Sequence, residues 1–465
     1  MWSGRFRQPL DQAFEGWQRS FPFDRLLLPF ELEASRAHAR ALEHAGVLSS
    51  EELSEIVRGL EQIGVQAERD PGFLNDAEAE DVHHFVEKQL VALIGEAGYK
   101  LHSGRSRNEQ IATDLRLYVR ESIDQLQLHL AAWIETFGNR AEKAGDSAMP
   151  AYTHLQRAEP VLVAHWLLAY AQMFARDSER LADCRKRVNL CPLGSGAVAG
   201  ATLALDREAM AAELDFDAPT ANSIDATSDR DFALEFVQTL TGISLHLSRW
   251  AEEMILFATQ EYGFLDLPES YSTGSSAMPQ KRNPDLLELV RGKCGRIAGA
   301  QQSLMMTIKG LPLAYNKDLQ ETQEPVFDVA ETMLAMLPLC TGWMKEVEFD
   351  YERMRAAAQS GGMNAWAAAT FLVERGVPSR LAHEAVGKAI RLCLDRGCEL
   401  QDLPVEDLQR VHPAFDQDLA RNLTLEAVIS IHDVSGGTAK GSVKQALRRV
   451  QECVAQIRGQ VHAHA

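Results

Sequence analysis

Four polar segments of this chain hold the residue types that could do chemistry, each with glycine, serine or proline beside ionisable side chains. Lys100-Leu-His-Ser-Gly-Arg-Ser-Arg-Asn-Glu-Gln110 sets arginines and an asparagine around a Ser-Gly turn where a long helical pattern begins. A helix N-terminus there offers unpaired N–H groups and a positive dipole end, a seat for a carboxylate; a solvated helix cap reads the same way. Ala151-Tyr-Thr-His-Leu-Gln-Arg-Ala-Glu-Pro160 places Thr153, His154 and Gln156 just before an expected helix with Pro160 in its first turn. Histidine changes charge near neutral pH without special tuning, so His154 is a candidate for moving a proton, although loop histidines are commonly ordinary surface residues.

Pro192-Leu-Gly-Ser-Gly-Ala-Val-Ala-Gly200 superficially resembles a dinucleotide fingerprint, but no strand precedes it and its glycines are wrongly spaced. A backbone-rich turn beside a ligand or a subunit fits better. Gly274-Ser-Ser-Ala-Met-Pro-Gln-Lys-Arg-Asn-Pro284 combines small residues with Lys281 and Arg282 and ends on a helix start at Asn283-Pro284. That is the build of a basic lid closing over an anion. His83-His84 with Glu87 could suggest a metal site, but a polar helix face explains it more simply, and no metal is expected.

These segments need rigid elements to hold them. From Asn108 to Phe137 there is no Pro or Gly, and apolar residues recur at Ile111, Leu115, Val119, Ile123, Leu126, Leu130, Ile134 and Phe137. Spacings of four and three are the helical period, and about 30 residues give a rod of roughly 45 Å. Similar runs cover 160–190, 231–261, 284–309 and about 321–357. Five such rods must bundle to hide their apolar faces, and rods this long invite helices from partner subunits. Before them, helices are expected near 29–45, from Ser49 or Ser50 onward, and over 80–94, with a turn at Asp70-Pro71-Gly72. After Gly361-Gly362, shorter helices alternate with Pro-containing breaks, which suggests a smaller domain. Strand-like alternation is nearly absent. The expected class is all-α with three domains: 1–106, 107–358 and 359–465.

Composition narrows the function. The 465-residue chain is 46% hydrophobic and 24% charged, with a formal net charge of −19. That balance argues against broad binding to nucleic acid or an anionic membrane, and no run of about 18 apolar residues is present. Seven scattered cysteines without a Cys-x-x-Cys pair fit reduced thiols, and no secretory signal is visible, so a cytoplasmic protein is expected.

The fourth segment resembles the signature of the fumarase/aspartase superfamily, Gly-Ser-Ser-x-Met-Pro-x-Lys-x-Asn-Pro. Gln280 before the lysine makes it similar to the argininosuccinate lyases in particular. Trp2-Ser-Gly-Arg-Phe6, Glu80-Asp81-Val82-His83, His102 to Asn108 and Tyr152 to Gln156 carry the same likeness. So do Pro192 to Gly196, Ser223 to Phe232 and Tyr315-Asn-Lys-Asp-Leu-Gln320, with Ser435-Gly-Gly-Thr438 a weaker match.

The resemblance implies a three-domain fold whose long helices form a twenty-helix core in a homotetramer, with active sites shared between subunits. It implies cleavage of argininosuccinate to L-arginine and fumarate without cofactor. It implies Ser275 as the base, His154 as the acid and Lys281 as a supporting charge. Substrate contacts carry over to Ser20, Arg107, Asn108, Thr153, Asn283, Tyr315 and Gln320, with Asp81 and His83 as supporting residues. Two departures stand out. The family's lysine after Gln-Glu-Asp is Gln323 here, so one carboxylate contact is neutral or supplied elsewhere, and Glu109 replaces the commoner aspartate. A non-catalytic lens-crystallin-like protein shares this resemblance, but the retained Ser275, His154, Lys281 and Asn283 favour an enzyme.

Overall fold

A computed structural model of the chain describes residues 7–76 and 78–464. The Trp2–Phe6 motif lies outside them. Helices dominate, as the apolar periodicities require, and the longest are Arg107–Ala144, Val163–Val188, Asp231–Ala258, Asp285–Ile308 and Gln323–Glu346. Each coincides with one of the five expected rods. None of the described helices is long and apolar enough to cross a membrane.

The earlier helices, Leu28–His44, Ser50–Arg69 and Val82–Ile94, start and stop on recognisable signals. Ser49 and Glu52 form a reciprocal capping box, and Asp81 accepts from the His84 amide to cap the third.

Two expectations are corrected. Residues 160–162 are not helix: Ala148–Thr153 and Gln156–Leu162 form an antiparallel hairpin, with Pro150 facing Pro160. A two-stranded ribbon has free edges, so prolines lacking an N–H cost it little. The run to Ala357 is also interrupted. Its helix ends at Glu346, Glu348–Phe349 pairs with Leu265–Asp266, and a new helix covers Tyr351–Ala358.

The chain forms two compact units. The first comprises the chain up to Leu126, Glu179–Gly242 and Gly295–Leu334. Its core includes Ala37, Leu117, Leu193, Met210 and Phe216, with Phe21 stacked on Phe85 at 4.9 Å. The second comprises Gln127–Ser178, Ile243–Cys294 and Ala335 onward. At its centre the fully buried Trp133, Trp250 and Trp343 meet edge to face at 4.9 and 5.2 Å. A separate apolar cluster around Phe371, Ala389, Phe415 and Leu419 holds the short helices after residue 364.

Candidate active site

In the first unit Ser20, Arg107 and Tyr315 lie around Glu80 and Asp81, while Asn108 and Gln320 bond elsewhere. The amides of Ser20 and Phe21 both donate to the Glu80 carbonyl, at 2.9 and 3.1 Å. The Val82 amide donates to Asp24 Oδ1, and the Ser20 hydroxyl donates to Asp24 Oδ2 at 2.6 Å. Ser20 therefore keeps its lone pairs for an incoming N–H. Burial, reinforced by the nearby Asp81 charge, raises the Asp24 carboxyl to about 7.

Arg107 opens its helix with one guanidinium nitrogen 3.3 Å from Glu80 and 3.2 Å from Asp81. Asn108 donates to the Ala197 carbonyl, and buried Glu109 accepts from the amides of Ser106 and Gly196. The carboxylate thus pins the glycine turn to the helix start. Gly196 has φ +62, and a Cβ there would meet the Gly200 carbonyl oxygen at 2.7 Å, so the turn needs glycine.

Gln320 is buried and donates to the Gln18 carbonyl at 3.0 Å. Gln323, at the departure from the family pattern, is 3% exposed, and its Oε1 has no hydrogen-bond partner among the described residues. Burial raises the Tyr315 phenol while the Arg230 charge draws it back.

Arg230 lies within the Ser223–Phe232 motif, where sequence alone gives it no role. It is 1% exposed, its Nε has no hydrogen-bond partner among the described residues, and burial lowers it to about 10. A buried guanidinium beside Tyr315 is a fixed positive charge, and its only sequence signal was the alternation Asp229-Arg230-Asp231.

Deeper in this unit Glu31, His83 and Asp114 are buried with ligand atoms within 4.8 Å of one another. The metal suggestion weighed from sequence, His83-His84-Glu87, is a different set. His83 Nε2 lies 2.9 Å from Asp114 Oδ2, Ser35 and Gln110 donate to Glu31, and Arg105 stands 3.7 Å from Glu31. Burial opposes the His83 imidazolium, yet Glu31, Asp114 and Asp81 outweigh it and raise it to about 9. One imidazolium and one guanidinium face Glu31 and Asp114, and burial with the Glu31 charge raises the Asp114 carboxyl to about 8. A metal cation would have to displace the His83 proton beside Arg105.

The second unit carries His154, Thr153, Ser275, Lys281 and Asn283. Thr153 pairs with Gln156, leaving His154 and Leu155 as a two-residue hairpin loop with φ of 56° and 57°. That left-handed pair matches the twist of the strands, but it normally falls to Asn-Gly, and non-glycine residues there cost about 1–3 kcal/mol each. The histidine is exposed at the tip of a strained turn.

The Ser275 loop is closed at its base, where Thr273 pairs with Asn283 and Gly274 with Arg282. Asp285 accepts from the Thr273 hydroxyl at 2.6 Å, and Arg282 donates to the Leu267 carbonyl at 2.7 Å. Within the loop, Ser275 Oγ accepts from the amides of Ala277 and Met278, at 3.3 and 3.1 Å. Lys281 is exposed and makes no ion pair among the described residues. No hydrogen bond among those residues joins Ser275 to His154. Within one chain the two proton-moving candidates are not bonded partners.

Residues 4–299 match the family described as Lyase, and residues 362–430 match the family described as Argininosuccinate lyase C-terminal. The chain is 58% identical to the argininosuccinate lyase of Koribacter versatilis over the full length of both. It is also 58% identical to that of Acidobacterium capsulatum, covering 97% of this chain and 94% of the other. Among solved structures, an EDDS lyase in complex with formate superposes with a TM-score of 0.82 at 24% identity, covering 98% of this chain and 93% of that one. At that identity the match speaks for the fold alone.

Proposed function

The chain belongs to the argininosuccinate lyase family of the fumarase/aspartase superfamily, and from that premise we propose how its own residues carry the reaction. It is a carbon–nitrogen lyase that splits argininosuccinate into L-arginine and fumarate by reversible anti elimination, the last step of arginine biosynthesis.

Ser275, as its alkoxide, takes the proton from Cβ of the succinyl group. The C–H electron pair spreads into the adjacent carboxylate as a carbanion. It then forms the double bond as the Cα–N bond breaks, and His154 gives the departing guanidino nitrogen its proton. Only protons and substrate electron pairs move, so this reading asks for no cofactor.

The two amides on Ser275 Oγ are the observation that carries this assignment. A serine hydroxyl ionises far above neutral pH, so its alkoxide must be stabilised by on the order of 10 kcal/mol. Oxyanion donors are worth about 3–4 kcal/mol each, so two amides supply more than half. The unpaired Lys281 charge and exclusion of water on closure provide the remainder.

Ser20, Arg107, Asn108, Tyr315 and Gln320 hold the substrate from the first unit's residues, and Thr153 and Asn283 from the second's. Arg230 places a buried positive charge beside Tyr315. The enzyme works as a homotetramer in the cytoplasm, with each active site completed by neighbouring subunits. The domain division is into 1–106, 107–358 and 359–465, and the separate match of residues 362–430 supports the last of these.

Replacing Ser275 by alanine tests the reading. Fumarate release, followed by absorbance, should fall at least about 1000-fold with assembly unchanged; an alanine variant with full turnover would overturn it.

A further inference from the structure

The catalytic assignment leaves one question open: what holds an exposed, strained turn in place. The hairpin tip, residues 153–157, is exposed throughout, and both turn residues sit in the left-handed region. Such a conformation persists only where neighbouring structure enforces it. Around the tip that role falls to Arg157, directly across the ladder from Tyr152.

The Arg157 guanidinium donates to the Ala357 carbonyl at 3.2 Å and to Ser360 Oγ at 2.9 Å, and it faces Tyr152 across the ladder. Ala357 lies in the last turn of the Tyr351–Ala358 helix, whose unpaired carbonyls and negative dipole end favour a guanidinium. Both acceptors are neutral, and no carboxylate pairs with Arg157 among the described residues. Tyr152 is itself braced by Phe257 and Tyr262, with ring centroids 6.2 and 5.6 Å away. These contacts fasten the strand three residues from His154 to the helix end on one side and to an aromatic cluster on the other.

We propose that Arg157 is a positioning residue for His154, clamping the strained hairpin so that the imidazole stands ready to protonate the leaving nitrogen. This rests on the assignment of His154 as the acid. The clamp touches no substrate. Its loss should therefore leave binding nearly intact while misplacing the proton donor, and a displacement of about 1 Å can cost a hundredfold in rate.

The test compares Arg157→Met, which keeps the aliphatic stem and removes the donors, with Arg157→Lys, which keeps a charge and a donor. Both are measured on the assembled enzyme with argininosuccinate. Arg157→Met should lower kcat about 30- to 100-fold with KM within about threefold of wild type and the melting temperature little changed. Arg157→Lys should recover about tenfold of that loss. Ser360→Ala, which removes one acceptor, should cost about threefold in kcat, and it carries the test should Arg157→Met fail to fold.

A methionine variant with wild-type kcat would overturn the proposal. So would a loss of activity that merely tracks loss of folded protein, or an unaffected Ser360→Ala. His154→Gln separates the two levels. If it turns over normally, the acid assignment itself fails. If it is inactive while Arg157→Met is not, only the clamp fails.

Discussion

The two units treat their candidate site residues in opposite ways. In the first, Ser20, Asp24, Glu31, His83, Glu109 and Gln320 are buried and bonded to one another or to backbone. In the second, Thr153, His154 and Lys281 are exposed, and Ser275 is bonded only to its own loop. Groups that must recognise fixed charges gain from being oriented beforehand, since a preformed cradle has little reorganisation left to do. Groups that move protons must reach a bond that exists only when substrate is present, and loops on a rigid scaffold allow that.

The largest effect that probes this contrast should come from the buried network. His83→Leu leaves Glu31 and Asp114 facing each other without the imidazolium, and should destabilise the protein by about 3–5 kcal/mol in denaturant melts. A loss under about 1 kcal/mol would mean the cradle is far less preorganised than its burial indicates.

The same network should show in pH. His83 is raised from its ordinary 6.5 to about 9 in the folded chain, so its contribution is fully present below about 6.5. It fades as pH climbs through about 9, by roughly 3 kcal/mol. Asp24, raised to about 7, acts in the same sense, favouring the fold more when protonated. The melting temperature should fall between about pH 6.5 and 9.5, and His83→Gln should flatten that fall. A profile as steep in the variant as in the wild type would contradict the assignment.

Gln323→Lys comes next. If the neutral side chain weakens one carboxylate contact, lysine should lower KM about tenfold with little change in kcat. Unchanged KM and kcat would refute that reading.

The smallest effect belongs to the exposed region. Leu155→Gly removes a side chain from a left-handed position and should stabilise the hairpin by about 1 kcal/mol, read from the melting temperature. No gain would mean that leucine contacts elsewhere offset the strain.

Much of this was legible beforehand. The five rods follow from apolar spacing, and the helix start at Ser49 or Ser50 from the acidic Glu51 and Glu52 beside it. The hairpin was not. Its strands carry prolines at 150 and 160 and a His-Leu loop, so neither alternation nor turn chemistry advertised them. Asp24, Arg230 and the Glu31–His83–Asp114 network were equally hidden. They come from separate helices and turns, and nothing local marks a carboxylate that will be buried beside a histidine.

Residue order alone settled the helical class and the family, because periodicity and short motifs are properties of neighbouring residues. The tertiary structure decided which of them are buried and bonded, which stay exposed, and that the histidine rides a strained turn. Burial, and the proton affinities that follow from it, depend on which distant segments pack together, and that is settled only when the chain has folded.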